Sequence, residues 1–146
     1  MKKIEEKYYK IWITLIKRIG IKRYINLIKK FKTIKNIFNA SNKDLKNIQL
    51  IDEKLIQNIL NPQNKILAKK YLIYMEKNNI DIISIEDKEY PLKLLSIYNP
   101  PICLYIKGNK EILKKKSIGI IGCRECTPYG KEIAQTFSYN LAKNKI

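Results

Sequence analysis

Ser117-Ile118-Gly119-Ile120-Ile121-Gly122-Cys123-Arg124-Glu125-Cys126-Thr127-Pro128-Tyr129-Gly130-Lys131 is the one stretch in which an apolar run, a tight turn and a helix start meet. Ile118 to Gly122, opened by Ser117, has the length and β-branching of a short buried strand. Thr127-Pro128 then opens a helix, with a hydroxyl that can accept from first-turn amides and a proline at the first helical position, where its missing N–H costs nothing. The order strand, turn, helix presents amide N–H groups without intrahelical partners and roughly half a positive charge at the helix start, which suits an anion such as phosphate. Arg124 falls in that turn, and a guanidinium holds phosphate through two parallel hydrogen bonds. On spacing alone the segment is either a phosphate-binding βα turn or an ordinary α/β connection with a solvated arginine.

Downstream, a helix is expected from Pro128 to about Lys143, with Ile133, Ala134, Phe137 and Leu141 on one face to cover a sheet. The sequence stops at Ile146, where the next strand of a βαβ unit would begin, so the expected sheet is only the opening of a parallel one. Upstream, Lys114-Lys115-Lys116 precedes the central strand at the end away from Arg124 and reads as a solvated or edge-protecting cluster. Ile80 to Ile85 and Ile102 to Ile106 read as strands, the second held open by Pro100-Pro101. Between them Tyr90 to Ile97 reads as a short helix, and Glu111 to Leu113 makes one helical turn before the central strand.

The turn signal Asn78-Asn79 separates this region from a helical one, which divides the chain into residues 1–78 and 79–146. Ile4, Tyr8, Ile11, Trp12, Leu15 and Ile16 recur at helical spacing, with Trp12 in the middle of the apolar face and therefore a core residue. Ile19-Gly20-Ile21 breaks that helix, and Tyr24, Ile25, Leu27, Ile28 and Phe31 resume it. Helix, glycine turn, helix is the outline of a helix-hairpin-helix element, although Lys22 stands where the usual motif has a second glycine. Thr33 and Ser41 are caps of short helices at about 33–39 and 42–48, Asp44 follows Ser41 at the spacing of a capping box, and Asp52 begins another helix carrying Leu55, Ile56, Ile59 and Leu60. Asn61-Pro62 ends one helix and starts the next, which runs to Asn78 with Ile66, Leu67, Tyr71, Tyr74 and Met75 expected inward and Lys65, Lys69, Lys70 and Lys77 outward.

The 146 residues carry 30 Lys and Arg against 13 Asp and Glu, a formal charge of +17 that suits a polyanionic partner. A coding bias toward Lys, Ile and Asn explains part of that excess but not the deficit of glutamate. The absence of histidine removes histidine triads, histidine general bases and histidine metal ligands. Cys103, Cys123 and Cys126 are an odd set with no secretory signal before them, which favours a reducing cytoplasm. Cys123 and Cys126 are at most half a zinc site, so neither metal nor cofactor is expected. No apolar run approaches the roughly 18 residues of a membrane span, and no membrane partner is expected.

Gly122-Cys123-Arg124-Glu125-Cys126-Thr127-Pro128-Tyr129-Gly130 resembles the Gly-Ser-Arg-x-x-Ser/Thr-x-Tyr-Gly signature of the DNA-processing protein A (DprA/Smf) family. Tyr90-Pro91-Leu92-Lys93-Leu94-Leu95 and Asn99-Pro100-Pro101-Ile102-Cys103-Leu104-Tyr105-Ile106-Lys107-Gly108 resemble two further family segments in the expected order. The resemblance implies a helical SAM-like or helix-hairpin-helix domain followed by the opening βα units of an incomplete Rossmann-like parallel sheet, an α+α/β chain. It implies binding of single-stranded DNA without catalysis, loading of the RecA recombinase during natural transformation, and a homodimer in the complete protein. The family's second glycine-rich motif is missing, so the chain resembles an N-terminal portion. The residues carried over to DNA phosphate are Gly122, Cys123, Arg124, Thr127, Tyr129 and Gly130, with Cys123 a weaker donor than the family's serine. Two rival readings stay open: a Cys-x-x-Cys thiol-disulfide oxidoreductase, and a nucleotide-binding Rossmann enzyme, for which Gly119-x-x-Gly122 is a loose echo of the dinucleotide loop.

Overall fold

The structure is a computed structural model and describes residues 2–144. It divides into two compact units, one up to Lys110 and one from Glu111 on. The first is built around α1 (Lys2–Leu15), whose Ile11, Trp12 and Ile13 are wholly buried. Around it lie α2 (Ile21–Phe31), α3 (Ile34–Phe38), α4 (Asn42–Leu45), α5 (Glu53–Leu60) and α6 (Pro62–Lys77). Trp12 meets Phe38 edge to face at 5.0 Å, and Tyr8 and Tyr9 approach the same ring at 5.5 and 5.0 Å. Phe38 thereby joins α1 to α3 through aromatic pairs each worth about 0.5–1.5 kcal/mol beyond burial.

Local chemistry sets where these helices start. The Thr33 hydroxyl accepts from Asn36 N–H, Asp52 from Leu55 N–H and Asn61 from Gln63 N–H, each satisfying a first-turn donor. Ser41 and Asp44 form a reciprocal capping box, with Ser41 N–H donating to Asp44 Oδ2 at 2.9 Å. Pro62 occupies the first turn of α6. The α1–α2 turn is held by its own cations: Arg18 pairs with Asp52 at 2.7 Å, while Arg23 donates to the carbonyls of Leu50 and Arg18. Lys22 lies 3.3 Å from the Tyr98 hydroxyl.

Helix α6 is oriented differently from the sequence expectation. Ala68 and Met75 are buried and Leu72 packs on the core, whereas Ile66, Leu67, Tyr71 and Tyr74 are exposed. Lys65, expected outward, lies against the body with its ammonium 4.0 Å from the Phe38 ring centre and donating to the Phe38 carbonyl. Apolar residues occur all round this helix, so periodicity alone selects no face.

The first unit continues past the Asn78-Asn79 turn, where Asn79 adopts φ 53°, into β1 (Ile80–Ser84). β1 pairs with β2 (Cys103–Lys107) in antiparallel register, Ile80 opposite Lys107 and Ser84 opposite Cys103. The expected parallel opening of a sheet is therefore not what these two strands form. Their connection carries α7 (Leu92–Leu95) and folds back because Tyr90, buried beneath it, donates its hydroxyl hydrogen to the Pro101 carbonyl at 2.7 Å. Ion pairs Lys7–Asp81 at 3.1 Å and Lys10–Asp87 at 2.5 Å tie the hairpin region to α1.

A 3₁₀ turn, Lys110–Lys114, spans the division between the units. In the second unit α8 (Pro128–Lys143) forms as expected, but Ile118 to Gly122 is in no ladder among the described residues. Ile118, Ile120 and Ile121 stand 60, 45 and 97% exposed, and Phe137 on α8 is 59% exposed rather than covering a sheet. An extended run becomes a strand only when a neighbour takes its N–H and C=O groups, and this one has no such neighbour among the described residues.

Candidate nucleic-acid site at the start of helix α8

The cap of α8 is built within the five residues from Thr127 to Lys131. Thr127, extended at φ −65° and ψ 157°, accepts from Gly130 N–H on its hydroxyl at 3.1 Å and from Lys131 N–H on its carbonyl at 3.0 Å. Pro128 has no N–H to offer. Tyr129 N–H is consequently the one first-turn amide without a partner among the described residues, and any further backbone donors must come from the loop before the cap. A Cβ at Gly130 would lie 3.4 Å from the Thr127 hydroxyl and 3.8 Å from Cys126 Cβ, ordinary van der Waals contact with the cap. At Gly122 an added Cβ meets nothing within 4 Å, which leaves open space for an approaching ligand.

In front of this cap lies an open hollow of about 760 Å³. Gly122, Cys123, Thr127 and Gly130 line it, together with Glu125 and Lys131. Arg124 and Tyr129 lie outside the lining, exposed to solvent, with Tyr129 73% accessible. Arg124 has no carboxylate partner among the described residues. The hollow thus gathers four of the six expected residues, while Arg124 and Tyr129 only adjoin lining residues along the chain. Lys131 and Gln135, one helical turn apart, also line it and were not singled out from sequence; spacing of four residues on the new helix was the available signal. Glu125 in the same lining brings a negative charge to the loop, which opposes an anion there and which Arg124 and Lys131 must outweigh.

Cys123 and Cys126 are exposed free thiols that precede the helix cap, so neither sits within the first turn of α8. No group of histidine, cysteine or acidic side chains able to hold a metal occurs among the described residues. No helix of the described residues is long and apolar enough to cross a membrane.

Residues 81–146 match the family described as DNA recombination-mediator protein A. Over 75 residues, 51% of its length, the chain is 36% identical to the DNA processing protein DprA of Bacillus subtilis, covering 25% of that protein. Over 63 residues, 43% of its length, it is 40% identical to the DNA processing protein DprA of Streptococcus pneumoniae, covering 22% of it. Over 144 residues, 96% of its length, it is 24% identical to Protein Smf of Synechocystis, covering 36% of it. The chain therefore spans well under half the length of these relatives. No solved structure matches it significantly.

Proposed function

Because the chain belongs, through residues 81–146, to the DprA/Smf family of DNA-processing proteins, we propose that it acts in DNA recombination by binding single-stranded DNA at the turn before α8, without catalysing a reaction. The observation that carries this reading is the exposed Arg124, free of any carboxylate among the described residues, between Cys123 and Glu125 in the loop that lines the open hollow at the capped helix start. Arg124 grips a phosphate, Tyr129 N–H and the loop amides of residues 123–126 add donors, and Thr127 holds the cap in shape. Gly122 and Gly130 admit the backbone; Tyr129 packs or stacks at the rim. The formal charge of +17 draws the polyanion in from a distance. The same reading takes Ile118 to Gly122 as a strand of a Rossmann-like sheet, whose apolar side chains support the turn from behind. RecA and a second subunit are its partners in the cytoplasm, during uptake of transforming DNA.

The oxidoreductase reading keeps one supporting observation, the two exposed thiols at Cys123 and Cys126, and one opposing it, their position before the cap. Binding of a fluorescein-labelled oligothymidylate to the full chain and to Arg124→Ala tests the proposal across a salt series. The variant should bind more weakly, with a salt dependence shallower by up to ~0.7 log units per log salt, because one phosphate is no longer neutralised. Equal affinity and equal slope in the two proteins would refute the site.

A further inference from the structure

The outward turn of α6 leaves an aromatic surface on the first unit that the DNA site on the second does not use. Tyr71 and Tyr74 of α6 are 44 and 58% exposed, and Tyr105 of β2 is 51% exposed. With Leu15, Met75 and Ile80 they line an open hollow of about 350 Å³. The Tyr105 hydroxyl lies 2.6 Å from Thr14 Oγ1, which fixes that ring in place. Lys70 and Lys77 flank Tyr74 four residues before and three after it, on the same side of α6, while Glu76 projects from the opposite side. Lys107 follows Tyr105 by two residues and so shares its face of β2. None of these three lysines is ion-paired among the described residues, whereas Lys7, Lys10 and Lys35 of the same unit each hold a carboxylate.

Charge decides which partner suits this face. Lysine is depleted in protein–protein interfaces, and at this face the lysines of a second copy would meet like charge. Flat π-faces rimmed by unpaired ammonium groups match a chain of bases strung on phosphates. We infer that Tyr71, Tyr74 and Tyr105 form a stacking platform for the bases of a single-stranded nucleic acid, with Lys70, Lys77 and Lys107 on its phosphates. This platform is independent of the Arg124 turn.

The test uses the full chain with a labelled oligothymidylate carrying 5-iodouracil. Tyr74→Leu keeps the apolar surface and removes the ring, and should weaken binding about tenfold. Lys70→Gln with Lys77→Gln should make the salt dependence shallower by up to ~1.4 log units per log salt. Photocrosslinks should map to Tyr71, Tyr74 or Tyr105. Unchanged affinity and slope in both variants, or crosslinks confined to residues beyond Lys110, would overturn the platform. Loss of self-association in Tyr74→Leu with DNA affinity intact would also overturn it, in favour of a second copy as the occupant. Trp12 emission through a denaturant titration confirms that each variant is folded; should Tyr74→Leu fail there, the lysine pair and the crosslinks still decide. Weakening by Arg124→Ala alone sinks the platform and spares the turn, and the converse pattern does the opposite.

Discussion

Met75→Ala and Ile73→Ala, two truncations two residues apart on α6, measure which face of that helix carries the core. Met75 is 3% exposed and Ile73 is 64% exposed. Truncating a buried methionine costs about 2–5 kcal/mol in forfeited transfer energy and residual cavity. Met75 already borders an open hollow, which lets solvent or neighbours fill part of the space, so the lower half of that range applies. Full burial of an isoleucine is worth about 1.5–3 kcal/mol, and about a third of that, ~0.5–1 kcal/mol, is at stake for a side chain as exposed as Ile73. Alanine returns a few tenths of a kcal/mol through its better helix propensity, so Ile73→Ala should lie within about 0.5 kcal/mol of the parent. The assay is urea unfolding followed by Trp12, the single tryptophan, which is wholly buried in the first unit and reports on it alone. Met75→Ala should lower the midpoint strongly at unchanged slope, with thermal melting reduced by roughly 8–14 °C at about 4 °C per kcal/mol. A larger loss in Ile73→Ala than in Met75→Ala would show that the packing face of α6 is wrongly assigned, and the tyrosine platform would fall with it.

The remaining predictions concern caps, acid, thiols and exchange. Ser41→Ala removes one half of the capping box with Asp44 and should cost about 0.5–2 kcal/mol in the same urea titration. The backbone N–H of Leu55, and after it the Arg18 guanidinium, hold the Asp52 carboxyl below its ordinary 3.8 against the opposing pull of desolvation. A depressed folded-state value means this stabilisation is present above about pH 4 and is lost as pH falls further. Asp52→Asn should therefore lower stability in the neutral region, where the ionised carboxylate acts, change it little at the acid end, and so flatten the acid limb of stability against pH. Burial pushes the Cys103 thiol up to about 12, while Cys123 and Cys126 are exposed, so a thiol reagent at pH 8 should consume two equivalents quickly and the third only on unfolding. Amides at the β1–β2 pairing should resist hydrogen exchange, while those of Ile118 to Gly122 should exchange rapidly; strong protection in the latter segment would mean that the run is paired.

Much of the candidate site was legible because its chemistry is local. Thr127, Pro128 and Gly130 lie within four residues, and the cap they form needs nothing beyond that span. The same holds for Thr33 and for Ser41 with Asp44; Asp52 and Asn61, legible only as a helix start and a helix boundary, likewise reach amides two or three residues on. Less legible was the count of donors: the cap itself consumes the Gly130 and Lys131 amides and leaves Tyr129 N–H. The presence of Glu125 in the lining of the hollow and the absence of Arg124 from it also depend on how the loop before α8 lies.

The amino-acid sequence by itself determined the helix starts, the burial of Trp12, the final helix and the family signature around Arg124, since each rests on groups a few residues apart. Only the tertiary structure decided that Ala68, Leu72 and Met75 face the core, that β1 and β2 run antiparallel, and that Arg18 and Arg23 are spent on the α1–α2 turn. The reason is one of range. α6 is apolar on every side, a strand does not encode its partner's direction, and an arginine's nearest acceptor is set by whichever distant segment packing brings to it, as Asp52 and Leu50 are brought to this turn.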